Sequence, residues 1–321
     1  MLTEEKINFR QDRDFGETFN VTVKFIRQNF KHFFGTLILI AGPFLLISAI
    51  AAGVNQAYTL GMLRSLSIED FGYGRYGIIF FIYIAFAILA TIVSASTCFA
   101  YMILYSERGP GNFKTSEVGN LVFKNIGKLF ITLIVLLLMF APIIAIFAGI
   151  SYVVISSKLL VLIIGYYLML LACIAILLPN LVWLSSAVYL AAMLEKKTGV
   201  SAIKRSLELM RGNYWWTWLI MFCAVIALYV LVIIFSLPQI VYQLVITFSH
   251  VRGNLEDPGS SAPFVIITAV CTFLATIVFS IIHILSGFHY YSLAERKDGA
   301  GLLSRIDEIG NTADTNVEQQ Y

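Results

Sequence analysis

Residues 209–218 read LMRGNYWWTW, and this stretch decides the fold. Arg211, Gly212, Asn213 and Tyr214 stand at the mouth of a run, Tyr214 to Ser249, without a formal charge. FIRQNFKHFF at residues 25–34 repeats the arrangement, with Arg27 and Asn29 before an apolar run. VFKNIGKLF at residues 122–130 repeats it more loosely, with Lys124 and Asn125. The three asparagines lie 96 and 88 residues apart, which implies a threefold pseudo-repeat.

The runs behind these junctions set the class. The chain is 321 residues long, 59% hydrophobic and only 13% charged, about half the charge of a typical soluble domain. Six runs free of Asp, Glu, Lys and Arg read as transmembrane helices. They are Gly35–Asn55, Gly77–Tyr105, Leu129–Val154, a run starting at Leu159, a run starting at Tyr214, and Pro263–Phe288. The fold class is all-α: a polytopic membrane bundle of six transmembrane helices and three amphipathic interfacial helices. Residues 1–310 form one membrane domain, and residues 311–321 are expected to be disordered.

Residues 159–194 and 214–249 are each too long for one straight crossing. As helix they would reach ~54 Å against a hydrocarbon core of ~30 Å. Pro179 and Pro238 are the expected break points, because proline removes a backbone donor and clashes with the preceding turn. Leu181–Leu194 is expected to extend toward the cytoplasm, and Gln239–His250 to lie near the outer surface.

With the N-terminus inside, 18 of the 22 Lys and Arg fall on the inner side and only Arg64, Arg75, Lys158 and Arg252 outside. That bias places both termini in the cytoplasm. The outer loops are then 55–76, a short turn at 155–158, and 250–262. The net charge of +3 is too small to indicate nucleic acid. Eleven charges in the first 33 residues argue against a cleavable signal peptide. The four cysteines, Cys98, Cys173, Cys223 and Cys271, each stand alone in an apolar run and read as packing residues.

The junctions have a physical reading. Phe19, Val23, Ile26, Phe30 and Phe33 recur at helical spacing, opposite Glu17, Asn20, Lys24, Arg27 and Lys31. Val200, Ile203, Leu207 and Met210 do the same opposite Lys204, Arg205, Glu208 and Arg211. Val118, Leu121, Val122 and Leu129 form a weaker stripe, with Phe123 off it. Each helix is expected to lie in the headgroup plane, its basic face on anionic membrane lipids. Asn29, Asn125 and Asn213 would then turn the chain into the membrane, with Trp215 and Trp216 as interfacial anchors. The three junctions together could also form a cytoplasmic binding surface.

Longer segments resemble a known group. AIKRSLELMRGNYWWTW (202–218), RDFGETFNVTVKFIRQNFKHFF (13–34) and HYYSLAERKDGAGLL (289–303) resemble parts of the membrane domain attached to some glycerophosphodiester phosphodiesterases. They also resemble related bacterial six-span families of unknown function. Ser292 and Ala294 stand where that group usually carries Asp and Arg. The resemblance implies membrane architecture and a bacterial inner membrane. It does not imply phosphodiesterase activity, because the catalytic barrel has no counterpart here.

Within the spans, His283 is the ionisable residue that stands out, since such groups mark function in a bilayer. It follows Thr268, Thr272, Thr276 and Ser280, a polar stripe at intervals of four. This stripe reads either as a groove for a substrate or as a helix-packing face with hydroxyls bonded back to their own helix. Ala90, Ser94 and Cys98 read as a packing ridge, and Asn180, after Pro179, as a residue that could line a cavity. No catalytic, metal-ligand or cofactor motif is recognised. Glu107, Glu195 and Glu295 read as solvated helix ends.

Function then narrows to three expectations. The first is a non-enzymatic scaffold or accessory subunit of a membrane complex, with lipid and a membrane protein as partners. The second is a permease or lipid-handling channel for an apolar or amphipathic molecule. The third is a membrane-embedded lipid-modifying enzyme.

Overall fold

A computed structural model describes residues 6–65, 75–251 and 262–299. The elements are α1 (Phe15–Ser65), α2 (Arg75–Arg108), α3 (Thr115–Ser156) and α4 (Leu160–Leu194). They continue with α5 (Val200–Met210), α6 (Tyr214–Val251), α7 (Ala262–Phe279) and α8 (Ile281–Asp298). Only Ser280 separates α7 from α8, and together they make one crossing. With α1, α2, α3, α4 and α6, the described residues hold six helices long and apolar enough to cross a membrane. Residues 66–74 of the expected loop at 55–76, residues 252–261 of that at 250–262 and the tail at 300–321 lie outside the described residues, and residues 55–65 continue α1 instead of forming a loop.

The core sits at one end of the bundle. It comprises α2 from Ala90 to Tyr105, α4 from Trp183 to Met193 and α8 from Ile282 to Leu293, which are buried over most of their surface. These are the three returning spans. Small residues permit the close approach: Ala95, Ala100, Ala187, Ala191 and Gly287 face inward. A Cβ on Gly287 would stand 2.6 Å from Met102 Sδ.

The N-terminal segment closes that end. Ile7, Phe9 and Arg13 are buried there. The Phe9 ring lies 4.8 Å from Phe288, 5.2 Å from Tyr291 and 5.6 Å from Tyr105. Arg13 donates its backbone N–H to Ser292 Oγ at 2.9 Å and sets its guanidinium over the Phe288 ring. Its side chain also donates to the carbonyls of Asn8, Phe9 and Gln11. Burial lowers the Arg13 pKa from its ordinary value, and Glu17 partly offsets this. We call this the basic end, because it also carries the α2–α3 turn, α5 and the end of α8.

At the opposite end α1 and α7 cross tightly. A Cβ on Gly53 would stand 2.8 Å from the Val265 carbonyl oxygen. Gln239 of α6 donates to Gln56 of α1 at 2.9 Å. The α3–α4 hairpin is the least buried part of the bundle. Only 17% of the most apolar stretch of α3 and 6% of that of α4 is buried, against 39% in α1.

Several expectations need correction. The first two junctions are not helices laid in a headgroup plane. α1 runs unbroken for 51 residues and α3 for 42, straight through Asn29 and Asn125. Each asparagine donates its amide N–H to a carbonyl four residues back, Phe25 and Leu121, both at 2.9 Å. Asparagine thus serves the helix instead of ending it. Only the third junction turns. α5 ends at Met210, Gly212 adopts φ +90°, and α6 starts at Tyr214. The residue before the asparagine decides: Gln28 and Lys124 continue the helix, whereas glycine tolerates the left-handed conformation.

The expected faces are also shifted in two copies. In α1, Thr18, Thr22, Phe25 and Asn29 are buried, while Val23 and Phe30 are 53% and 58% exposed. The threonines hide their polarity by donating to Asp14 and Thr18 carbonyls at 2.7 and 2.8 Å. In α5, Ala202, Ile203, Ser206 and Leu209 face inward and Val200 faces out. The copy with the weakest stripe is oriented as expected: Val118, Val122 and Leu129 are fully buried and Phe123 is exposed.

Neither Pro179 nor Pro238 ends its helix. Beside Pro179, the Ile176 carbonyl accepts from Asn180 Nδ2 at 2.8 Å and from Trp218 Nε1 of α6 at 3.0 Å. These side chains add donors to the turn beside Pro179, whose own missing N–H would have served the Ala175 carbonyl one residue earlier. The interruption falls instead at Ser280, which no proline marks.

The repeat itself is visible in the packing. Thr36, seven residues after Asn29, meets Thr115 at the start of α3 at 3.0 Å. Thr132, seven residues after Asn125, accepts the Gly199 N–H at the start of α5 at 3.2 Å. Trp216, after Asn213, stacks edge-on against Phe15 at the start of α1, with centroids 6.2 Å apart. Each unit therefore touches the start of the next, around a closed ring of three.

Candidate functional site

The intramembrane polar residues gather around Ser280. The Ser280 N–H reaches both the Thr276 and Ile277 carbonyls, at 3.1 and 3.2 Å. The His283 N–H bonds the Ser280 carbonyl at 3.1 Å, an i→i+3 closure of 3₁₀ type. α2 fits against this tightened turn. Ser94 Oγ lies 2.8 Å from Ser280 Oγ, and Cys98 Sγ donates to the Ser280 carbonyl at 3.7 Å. The expected ridge of Ala90, Ser94 and Cys98 is thus the surface that meets the turn.

His283 points toward α4, with Nδ1 3.1 Å from Ser186 Oγ and its ring edge-on to Phe99. Thr276 donates to the Thr272 carbonyl at 2.7 Å, and Ser280 donates to the Thr276 carbonyl at 2.9 Å. Thr268 is buried, and its hydroxyl finds no partner among the described residues. Two hydroxyls of the stripe, those of Thr276 and Ser280, therefore serve a neighbouring helix or their own backbone. Asn180 is engaged elsewhere: its Nδ2 donates to Tyr214 OH at 2.9 Å, which joins α4 to α6.

A second histidine, not singled out from the sequence, lies one and a half turns further along α8. His289 is 1% exposed, with Nε2 3.0 Å from Thr217 Oγ1. Its Nδ1 and the nearby Trp183 Nε1 find no partner among the described residues, and the two rings lie 5.0 Å apart. The HYY triplet gave the available signal: an ionisable residue set among aromatics at the end of a span.

The basic end holds the charged network. Glu195 accepts from Arg205 Nε at 3.0 Å and from Tyr290 OH at 2.6 Å, and pairs with Lys197 at 2.9 Å. Arg205 also pairs with Asp298. Arg296 reaches Asp12 at 2.7 Å and Asn213 Oδ1 at 2.9 Å. Glu195 is therefore not the solvated helix end expected. Burial works to raise its pKa, but hydrogen bonds from Tyr290, Lys197 and Arg205 outweigh this and hold it below the ordinary carboxylate value. Arg205 moves the other way: burial lowers its pKa, and Asp298 and Glu195 more than reverse this.

The remaining junction residues are dispersed. Arg27 and Lys124 are exposed on α1 and α3, and Arg211 is the exposed residue after α5. Trp215 is 72% exposed. Among the described residues no group of three His, Cys, Asp or Glu is placed to hold a metal.

A family model described as "Domain of unknown function (DUF7847)" matches residues 111–292, more than half of the chain. No curated protein and no solved structure matches the chain.

Proposed function

The chain belongs to the DUF7847 family, and from its multi-pass architecture we propose a non-enzymatic scaffold or accessory subunit that docks a membrane-protein partner on the α3–α4 hairpin. The carrying observation is the asymmetry of burial. The core end is closed by the N-terminal segment, while the most apolar stretches of α3 and α4 are only 17% and 6% buried. On α3 the exposed face includes Ala141, Ala145 and Gly149 at intervals of four, and nothing approaches Gly149 within 4 Å. Small residues at that spacing let a partner helix come close, and close packing drives association in lipid. Inside the bundle, His283, Ser280 and His289 are occupied by Ser186, Ser94 and Thr217. That pairing favours a structural role over catalysis. The excess of Lys and Arg at the basic end supports a cytoplasmic placement of that end.

Extraction in mild detergent tests this reading. A stoichiometric complex is expected from the natural chain, lost in Gly149→Leu and kept in Tyr229→Leu, a lipid-exposed change on α6. A chain that runs alone, or a complex indifferent to Gly149, overturns it.

One observation favours a second reading, a lipid-handling permease: the 3₁₀ turn at Ser280 lies midway through a crossing, beside Thr276 and His283. Such a turn can act as a hinge. A transport phenotype abolished by His283→Ala would move the conclusion to this reading.

A further inference from the structure

The three lead-in segments are alike in sequence, and the first lines a crevice. Arg27, Gln28, Lys31 and His32 of α1 line one wall, and Pro110 and Gly111 of the α2–α3 turn line the other, around about 680 Å³. Arg27 and Lys31 are exposed, and no ion pair joins either to a carboxylate among the described residues. This contrasts with the third segment, where Glu195 and Asp298 engage Arg205. The charge of the first segment is thus available to an external anion.

The crevice is built, not incidental. His32 Nδ1 lies 2.8 Å from Tyr101 OH, which donates to Asn29 Oδ1 at 3.3 Å, and Asn29 is itself fixed to the Phe25 carbonyl. Gln28 Oε1 accepts from Tyr105 OH at 3.3 Å. The imidazole also sits edge-on to Phe113, which anchors the turn. Gly111 adopts φ +72°, and a Cβ there would meet nothing within 4 Å, so the far wall stands clear of side chains. Next to the crevice, Phe30 is 58% exposed and stacks on Phe34. An exposed aromatic pair just before the apolar run sets the level of the membrane surface.

We propose that this crevice binds a phosphate group, that of an anionic phospholipid, with Arg27 and Lys31 as its counter-charges and His32 as a positioned neighbour. Two basic side chains four residues apart on one helix face present their donors together. A phosphodiester takes charge-assisted hydrogen bonds from both. The lipid's chains would run down the α1 surface past Phe30, Phe34 and Ile38. A soluble phosphate has the same chemistry but no use for those exposed rings.

Purified protein in phosphatidylcholine nanodiscs, with and without phosphatidylglycerol, tests the site by native mass spectrometry of retained lipid. Retained phosphatidylglycerol is expected in the natural chain. Arg27→Gln with Lys31→Gln should weaken it roughly 30-fold, the effect of about two surface charges. Lys124→Gln with Lys128→Gln, at the second segment, should change it little. Phe30→Ser should weaken lipid retention but not the binding of glycerol 3-phosphate. Glycerol 3-phosphate that binds as tightly as the lipid, with the same dependence on Arg27 and Lys31, would overturn the lipid assignment. Equal retention by the Arg27/Lys31 and Lys124/Lys128 variants would overturn the site. Gly149 has no part in this experiment, so the outcome is separable from that of the docking hairpin.

Discussion

The returning halves of α2, α4 and α8 and the outer α3–α4 hairpin share one chain and one apolar composition, yet they are packed in opposite ways. In α4 both regimes occur within a single helix. Trp183 to Met193 are almost wholly buried, whereas Leu168, Leu171 and Ile174 are 62%, 65% and 47% exposed. Both halves are apolar, since lipid and protein interior both accept apolar side chains, and the exposed half is the more hydropathic of the two. What also separates them is residue size and shape. The buried half carries Ser186, Ala187, Ala191 and Ala192 at its contacts, and the exposed half carries leucine and isoleucine. In a membrane, small side chains mark where helices meet.

The largest test of this contrast is Trp183→Ala. Trp183 is fully buried, and its removal should cost about 3–5 kcal/mol in unfolding measured in detergent. A loss below ~1 kcal/mol would mean that the three returning helices are not the core. Next is Gly53→Val at the α1–α7 crossing. The new Cβ would meet the Val265 carbonyl, part of a helix backbone that cannot swing aside. Overpacking of roughly 1–3 kcal/mol is expected in the same unfolding assay. Gly287→Ala should cost less, because its neighbour is the flexible end of Met102.

Acid should act on the basic end before the hairpin. Glu195 has a lowered folded pKa, so its contribution is present above the ordinary carboxylate pKa, ~4.3, and is lost as pH falls through the folded value. Thermal stability scanned downward from neutral pH should fall in that acidic window. Glu195→Gln should flatten the fall, and an unchanged profile would remove the Arg205–Glu195–Tyr290 network from the account. The smallest effect is expected from Leu168→Ala on the exposed hairpin, within about 0.5 kcal/mol. A large loss there would mean that a protein surface, not lipid, covers α4 in the sample.

Much of this fold was readable in advance, and the failures have physical causes. Six crossings and a threefold repeat followed from apolar runs and the spacing of Asn29, Asn125 and Asn213. The orientation of α1 did not, because Thr18, Thr22 and Asn29 look polar in the sequence but pack inward once their donors are spent on the helix backbone. The unbroken course of α1 and α3 was missed for a related reason: asparagine was read as a turn, although only Gly212 supplies one. Proline misled similarly at Pro179, through which the helix runs on, with Asn180 and Trp218 bonded to the neighbouring Ile176 carbonyl. The turn at Ser280 left no local signal; it depends on Ser94 and Cys98, far away in the sequence. Of the polar stripe, His283 was legible as an isolated charge-capable group. Its partner Ser186 was not, since nothing local pairs residues on α4 and α8.

The N-terminal segment carries a consequence for biogenesis. Phe9, Asp12 and Arg13 are translated ahead of all six crossings, but their seats on Phe288, Ser292 and Arg296 follow five of them and most of the sixth. The leading residues must therefore wait, unseated, while every crossing is inserted. Docking of this strap is the closing event of assembly, and a chain interrupted before α8 would display an aromatic, cationic leader for quality-control proteases to find.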